Sequence, residues 1–169
     1  MKTKKMVLLG LLCAIALTIF MVEAQIPALV PIPGIKLGLS NIVTVFTVFC
    51  IGAWDGAALL FVRIFLGAVF AGNFSTILYS GAGGLCAIAV TILLRKILSG
   101  KQLWVAGVLG AVAHSIGQMT AAILISGTPG LIVYLPIMIA CSIVTGLFTG
   151  LCAQVLKDRG EKLWKTFLQ

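Results

Sequence analysis

The sequence has few charged residues: they make up 9% of its 169 residues, and only four of them are acidic. Soluble domains carry about 25% charged residues. An active site built on paired carboxylates is therefore not expected. The chain also has a single histidine and no Cys-x-x-Cys pair, so no set of metal ligands is evident. We expect a protein that is not an enzyme and that uses neither a metal nor another cofactor.

Apolar residues make up 61% of the chain, and its mean hydropathy is +1.21. A soluble fold of this length cannot bury so much apolar surface. A helix that spans a bilayer takes about 20 residues, so the length allows six spans and no separate soluble domain. The chain has no GxxxxGK[ST] motif, so it cannot hydrolyse ATP by itself. We expect an all-α integral membrane protein whose first partner is the lipid bilayer.

Apolar stretches separated by turn residues predict one transmembrane domain over residues 1–169. Residues 24–37 hold three of the five prolines and predict an external cap, since proline breaks helices and irregular backbone cannot face lipid. Residues 157–169 form a polar cytoplasmic tail. The predicted helices cover residues 6–22, 38–54, 56–72, 75–94, 103–126 and 131–156.

Basic residues predict the orientation of these helices, because cytoplasmic loops of membrane proteins are enriched in Lys and Arg. Both termini are placed in the cytoplasm of a multi-pass protein of the bacterial inner membrane. The net charge of +8 then reflects orientation rather than nucleic-acid binding. A cleaved signal peptide is the alternative for the first stretch. The residues placed inside are Lys2, Lys4, Lys5, Arg95, Lys96, Lys101, Lys157, Arg159, Lys162 and Lys165.

A few polar side chains lie inside the apolar stretches and are the candidate substrate-binding residues. Arg63 is costly within a span. It either binds an anionic group in a cavity or extends along its helix to the inner headgroups. His114 and Gln118 are one turn apart, which suits either a ligand or an interhelical hydrogen bond. Lys36, Asn41 and Tyr79 are predicted to point toward the outer side, with Glu23 and Gln25 nearby.

Small residues recur on one face of the first predicted helix, at Gly10, Ala14 and Thr18. Helices in lipid associate through close backbone approach at small residues. This face is a candidate docking surface for another subunit.

Four blocks of sequence resemble one known membrane family. They are residues 33–41 (PGIKLGLSN), Arg63 followed by Gly67, residues 80–84 (SGAGG), and residues 114–118 (HSIGQ). The family is that labelled heptaprenyl diphosphate synthase component I, also called the Gx transporter family, and the resemblance covers residues 5–155. It is similar to the substrate-binding S-components of energy-coupling-factor transporters.

The resemblance implies a six-helix bundle with a pocket near the outer face, closed by the loop after helix one. It also implies work with a transmembrane coupling subunit and two ATPases. The leading hypothesis is a transport protein for a small amphiphilic, anionic molecule such as an isoprenoid, a quinone precursor or a vitamin-like ring. The alternatives are a non-catalytic accessory subunit of polyprenyl diphosphate or quinone biosynthesis, and a structural subunit of a membrane redox complex.

Overall fold

The computed structural model describes residues 2–25, 36, 38–72, 74–98 and 100–168, without the side chains of residues 2, 76 and 161–168. The elements in this part of the chain are all helical. A 3-10 turn at Pro129–Tyr134 precedes the last helix. The α-helices are α1 (Lys2–Glu23), α2 (Asn41–Cys50), α3 (Ala53–Ala71), α4 (Ser75–Ile97), α5 (Leu103–Ser126) and α6 (Leu135–Leu168).

Five helices are long and apolar enough to cross a bilayer, and α2 is a shorter apolar helix. The prediction of an all-helical, multi-pass membrane protein is confirmed at this level. Large apolar side chains are exposed along the outer faces of the helices, among them Leu11, Phe65 and Val144. In a bilayer these side chains face lipid tails.

Helix α2 is the clearest departure from the sequence prediction, which gave a full span over residues 38–54. The observed helix has ten residues, so at 1.5 Å per residue it is about 15 Å long, half the thickness of a hydrocarbon core. Gly38 at one end has a φ of +82°, and Gly52 at the other is extended. Both conformations interrupt a helix, although the residues around them are as apolar as those within it.

The other boundaries differ by smaller amounts, except at the C-terminus. α1 and α3 begin a few residues before the predicted 6–22 and 56–72, and α4 ends after the predicted 75–94. The predicted span 131–156 begins with the 3-10 turn, and its helix continues through the predicted tail 157–169 to Leu168. Pro136 is tolerated in α6 because the first turn of a helix needs no internal N–H donor.

Contacts between helix ends show how the helices alternate in direction. Lys5 at the start of α1 forms a 2.8 Å ion pair with Asp55 at the start of α3. At the α4–α5 link, the backbone N–H of Leu103 donates to Gln154 of α6 over 2.9 Å, and Gln154 donates to the carbonyl of Gly100 over 3.1 Å. The segments rich in basic residues therefore lie at one end of the bundle, here called the basic end.

Helices α5 and α6 approach each other closely through small residues. The α-carbon of Gly107 faces the backbone of Gly146 and Gly150, and no side chain would fit there. The hydroxyl groups of Ser115 and Ser142 are hydrogen bonded at 2.5 Å. These contacts fix the helix that carries His114 and Gln118.

Candidate functional site

Gly38, just before α2, lies at the centre of a group of buried polar side chains. Its backbone N–H donates to Oε1 of Glu23 at the end of α1, over 2.5 Å. A Cβ on Gly38 would lie 3.0 Å from Nδ2 of Asn41 and 3.4 Å from Cδ2 of His114. Positive φ and close packing both require glycine here. The chain before α2 thus brings α1, α2 and α5 together.

Arg63 of α3 belongs to the same group, and its side chain is 3% exposed. Its Nη2 donates to Oδ1 of Asn41 over 3.5 Å, a long hydrogen bond. The guanidinium is therefore turned into the bundle toward α2. Glu23 interacts electrostatically with Arg63, yet the two charged groups form no ion pair within 4.0 Å.

His114 is enclosed between two glycines from different segments. Its Cδ2 and Nε2 side faces Gly38, and its Nδ1 and Cε1 side faces Gly83 of α4, where a Cβ would lie 3.0 Å from each of these two atoms. The ring is 3% exposed. Gly83, from the SGAGG block, therefore makes the space that the imidazole occupies.

Gln118, one turn after His114, holds the chain at Lys36. In the amide orientation that satisfies both groups, its nitrogen donates to the carbonyl of Lys36 over 3.0 Å and its oxygen accepts from the Lys36 N–H over 3.2 Å. The Lys36 ammonium lies 3.5 Å from the centre of the Phe20 ring. Burial lowers the pKa of Lys36, and Arg63 adds to this, whereas Glu23 opposes it.

Buried polar atoms without a hydrogen-bond partner among the described residues are concentrated in this group. Buried donors and acceptors in folded proteins almost always have partners, so each exception needs a physical explanation. Here they come from four helices or helix ends that converge on Gly38. The atoms are Oε2 of Glu23, Oγ of Ser40, Nδ2 of Asn41, Oγ1 of Thr44, Nε of Arg63 and Nδ1 of His114. We call these six residues the polar cluster.

A cavity borders the polar cluster on the side of Asn41 and Thr44. The cavity has a volume of about 10 Å³, which is room for about one water molecule. Most of the residues that line it are small. Thr91 is the third polar side chain of the lining, and its hydroxyl donates to the carbonyl of Ala87 over 2.8 Å. The remaining lining residues are Val45, Leu60, Gly84, Ala87, Gly107, Gly110 and Ala111.

The structure brings five of the six predicted binding residues together: Lys36, Asn41, Arg63, His114 and Gln118. Of these, Lys36 and Gln118 bind each other and border the cluster. Tyr79 is placed elsewhere, in an apolar group with Met119, Ala122, Leu131 and Met138. Helical spacing could not reveal this, because α4 is apolar on several faces.

Sequence reasoning did not include Glu23, Ser40 and Thr44 among the binding residues. A signal for Glu23 did exist: a buried Arg63 calls for a nearby negative charge, and Glu23 is the one acidic residue predicted on the outer side. The external cap was predicted for residues 24–37, and most of these lie outside the described residues.

The part of the chain that the structure describes has no group of three His, Cys, Asp or Glu side chains placed to hold a metal ion. The polar cluster combines one cation, one carboxylate, one imidazole and several neutral donors. Such a set suits hydrogen bonding to an organic ligand.

The predicted docking residues Gly10, Ala14 and Thr18 all lie on the exposed face of α1. A Cβ on Gly10 would meet no other atom within 4 Å, and the Thr18 hydroxyl donates to the carbonyl of Ala14 over 3.0 Å. Within the described part of the bundle, this face is therefore not used for internal packing.

Gln118→Leu should lower thermal stability. The change leaves the N–H and carbonyl of Lys36 without their side-chain partner, a loss of about 1–2 kcal/mol. Thermal unfolding of the purified protein in detergent measures this loss of stability. The matched control is Gln102→Leu, which changes an exposed glutamine. An unchanged melting temperature in Gln118→Leu would show that the Lys36 pairing contributes nothing to stability.

The family model of heptaprenyl diphosphate synthase component I matches residues 12–156 of the chain. The chain belongs to this family. The matched region contains the whole polar cluster, from Glu23 to His114, as well as the glycines that face it. No curated protein and no solved structure gave a significant match. Membership of the heptaprenyl diphosphate synthase component I family confirms the resemblance drawn from the sequence blocks.

Proposed function

We propose that this protein binds a small amphiphilic molecule with an anionic group at the polar cluster and moves it across the membrane, as energy-coupling-factor S-components do. It would do so without catalysing a reaction. One observation supports this most strongly: six buried polar atoms without hydrogen-bond partners among the described residues belong to the helices and helix ends that meet around Gly38. A bound ligand would supply those partners.

The chemistry of the cluster favours an anionic ligand. The Nε of Arg63 and the Nδ2 of Asn41 are donors, and the hydroxyls of Ser40 and Thr44 can donate as well. Hydrogen bonds from a guanidinium to an anion are roughly twice as strong as neutral ones. The apolar walls around the cluster would hold the rest of an amphiphilic molecule.

Entry of such a ligand requires the chain before α2 to move. The cavity beside Asn41 has room for about one water molecule. Lys36 is held by Gln118 and Gly38 by Glu23. These contacts, which join one short segment to α5 and α1, are the ones that would break and re-form during binding.

The proposal includes six crossings with both termini and the basic end in the cytoplasm. Cysteines placed at positions 36 and 101, in a background without the five native cysteines, should then react with a membrane-impermeant reagent from opposite sides. Lys101 is at the basic end and Lys36 at the other. Labelling of both positions from one side would contradict this topology.

The proposed partners are a transmembrane coupling subunit and its ATPases. The exposed small-residue face of α1, formed by Gly10, Ala14 and Thr18, would allow close approach of another helix. The chain lacks an ATP-binding loop, so hydrolysis would have to occur in another subunit.

A second candidate function follows from the family description, which names a component of a synthase. In that case the protein is a membrane accessory subunit that positions a lipid-like substrate or product for another subunit. Neighbouring genes discriminate between the two. Genes for a coupling subunit and ATPases favour transport, and genes for a prenyl diphosphate synthase favour the accessory role.

Mass spectrometry of small molecules retained by the purified protein tests the proposed function. We expect an amphiphilic anion to be enriched in the wild-type protein and depleted in Asn41→Ala, whose cluster loses one donor. In the same preparations, the wild-type protein should have a higher melting temperature than Asn41→Ala, because it retains more of the bound molecule. If the wild type retains no such molecule and no anionic amphiphile raises its melting temperature, the binding role is wrong.

A further inference from the structure

The arrangement of charges around Gly38 restricts the chemistry of the ligand more narrowly than its anionic character does. Building on the proposed function, we propose that the ligand carries a single carboxylate-type negative charge bound by Arg63 together with an O–H or N–H group donated to Glu23. It is not a diphosphate. The family description points to prenyl diphosphates, so this inference separates two chemical classes.

Glu23 and Arg63 are buried in the same site but do not pair with each other. Opposite charges buried in one site normally pair, because an unpaired buried charge is very costly. Here each group interacts electrostatically with the other, yet they form no ion pair within 4.0 Å. Each also keeps an atom without a hydrogen bond of normal geometry among the described residues: Nε on Arg63, and Oε2 on Glu23, although the backbone of Ser40 lies close enough to interact with this carboxylate.

These two atoms require opposite partners. The Nε of Arg63 can only donate, and the Oε2 of an ionised Glu23 can only accept. A water molecule or a ligand with both an acceptor and a donor can satisfy both atoms at once. An anion without a donor leaves Oε2 unsatisfied and places a negative charge near the Glu23 carboxylate.

The formal charges around Gly38 also favour a ligand with a single negative charge. Arg63 and Lys36 contribute two positive formal charges, and Glu23 contributes one negative charge. His114 is counted as neutral, because its ring is buried and burial disfavours a charge, and because the nearby Arg63 would repel a second cation. The polar cluster together with Lys36 therefore has one excess positive charge, which one carboxylate on the ligand would neutralise. A diphosphate carries at least two negative charges and would leave an excess of negative charge in a buried site.

The remaining polar atoms suit a planar carboxylate. Arg63 can bind a carboxylate with two parallel hydrogen bonds. The Nδ2 of Asn41 lies on the same side chain whose Oδ1 already contacts Arg63. The amide and the guanidinium thus offer neighbouring donors to one acceptor group.

Three probes test this inference by thermal shift and isothermal titration on the purified wild-type protein. They are 4-hydroxybenzoate, which has a carboxylate and a donor, 4-methoxybenzoate, which lacks the donor, and isopentenyl diphosphate. We expect 4-hydroxybenzoate to bind at least tenfold more tightly than 4-methoxybenzoate, and isopentenyl diphosphate to bind more weakly than either. Any molecule retained on purification should likewise contain one carboxylate and a donor.

Glu23→Gln provides the second measurement. The amide keeps an acceptor for Gly38 but removes the negative charge, so the preference for 4-hydroxybenzoate over 4-methoxybenzoate should fall several-fold. Binding of isopentenyl diphosphate should improve, because the site gains a positive charge. The control Asp158→Asn removes an acidic charge on the exposed C-terminal part of α6, and should leave both preferences unchanged.

The outcomes separate this inference from the proposed function. Tighter binding of isopentenyl diphosphate than of the two benzoates, or a retained diphosphate, overturns the inference and leaves a binding role in place. Equal affinity for 4-hydroxybenzoate and 4-methoxybenzoate overturns the role of Glu23. Failure of all three probes to bind, in a protein that retains no molecule, overturns both the inference and the proposed function.

Discussion

Arg63→Ala should weaken binding of 4-hydroxybenzoate by about 10- to 150-fold. A hydrogen bond to a charged group contributes about 1.5–3 kcal/mol, and 1.4 kcal/mol is tenfold in affinity. Arg63 is the buried cation that contacts Asn41 within the polar cluster. Isothermal titration of the purified variant gives the dissociation constant. Its expression level and its melting temperature establish that the variant is folded.

The matched control for this change is Arg95→Ala. Arg95 lies in the last turns of α4 and is exposed, so its loss removes the same charge without touching the polar cluster. We expect its affinity to match that of the wild type. If Arg63→Ala folds normally and binds as tightly as Arg95→Ala, Arg63 serves only to hold α3 in the bundle.

Gly83→Ala should destabilise the protein by about 1–3 kcal/mol, the usual cost of adding a methyl group to a tightly packed site. The new Cβ would lie 2.8 Å from the backbone oxygen of His114 and 3.0 Å from its ring. A backbone atom cannot move aside as a flexible side chain can. Thermal unfolding in detergent should therefore show a melting temperature lower by several degrees, since each kcal/mol shifts it by about 2–4 °C.

Gly81→Ala is the control, two residues away on the same helix. A Cβ at Gly81 meets no other atom within 4 Å, and alanine favours helix formation over glycine. Its melting temperature should stay the same or rise. A similar loss in both variants would show that the glycines of α4 are needed for a reason other than the space around His114.

The three glycines of the sequence block 80–84 have different surroundings. Gly83 makes room for His114, and Gly84 packs against Leu60 and Ile64 of α3. Gly81 faces open space within the described structure. Sequence alone presents the three glycines as equivalent, because the packing partners that distinguish them come from α3 and α5.

The membrane class and most of the site could be predicted from the sequence. Apolar runs identify membrane helices because the bilayer demands about 20 apolar residues for each span. Polar residues within such runs, such as Arg63 and His114, are costly unless they face one another. That constraint is strong enough to identify five residues that the structure brings together around Gly38.

Other features depend on tertiary contacts that no local pattern records. Glu23 was placed near the binding residues but not among them, because no local pattern records its hydrogen bond with the backbone N–H of Gly38, fifteen residues later. Tyr79 was included because its side chain was predicted to point toward the outer side, and only packing places it beside Met119 and Met138. The length of α2 was overestimated because the residues that flank it are apolar as well.

The short helix α2 has a mechanical consequence. Seven of its ten residues are buried, and Ile42, Phe49 and Cys50 are half-buried, so neighbouring helices cover most of its surface. A helix in contact with acyl chains must match their thickness, and sliding along the bilayer normal then incurs a hydrophobic mismatch. This constraint is weaker for α2 than for the longer helices, whose large apolar side chains are exposed. A shift of α2 along its axis, with Asn41 at its leading end, would therefore deform the surrounding membrane less than a shift of α1 or α3.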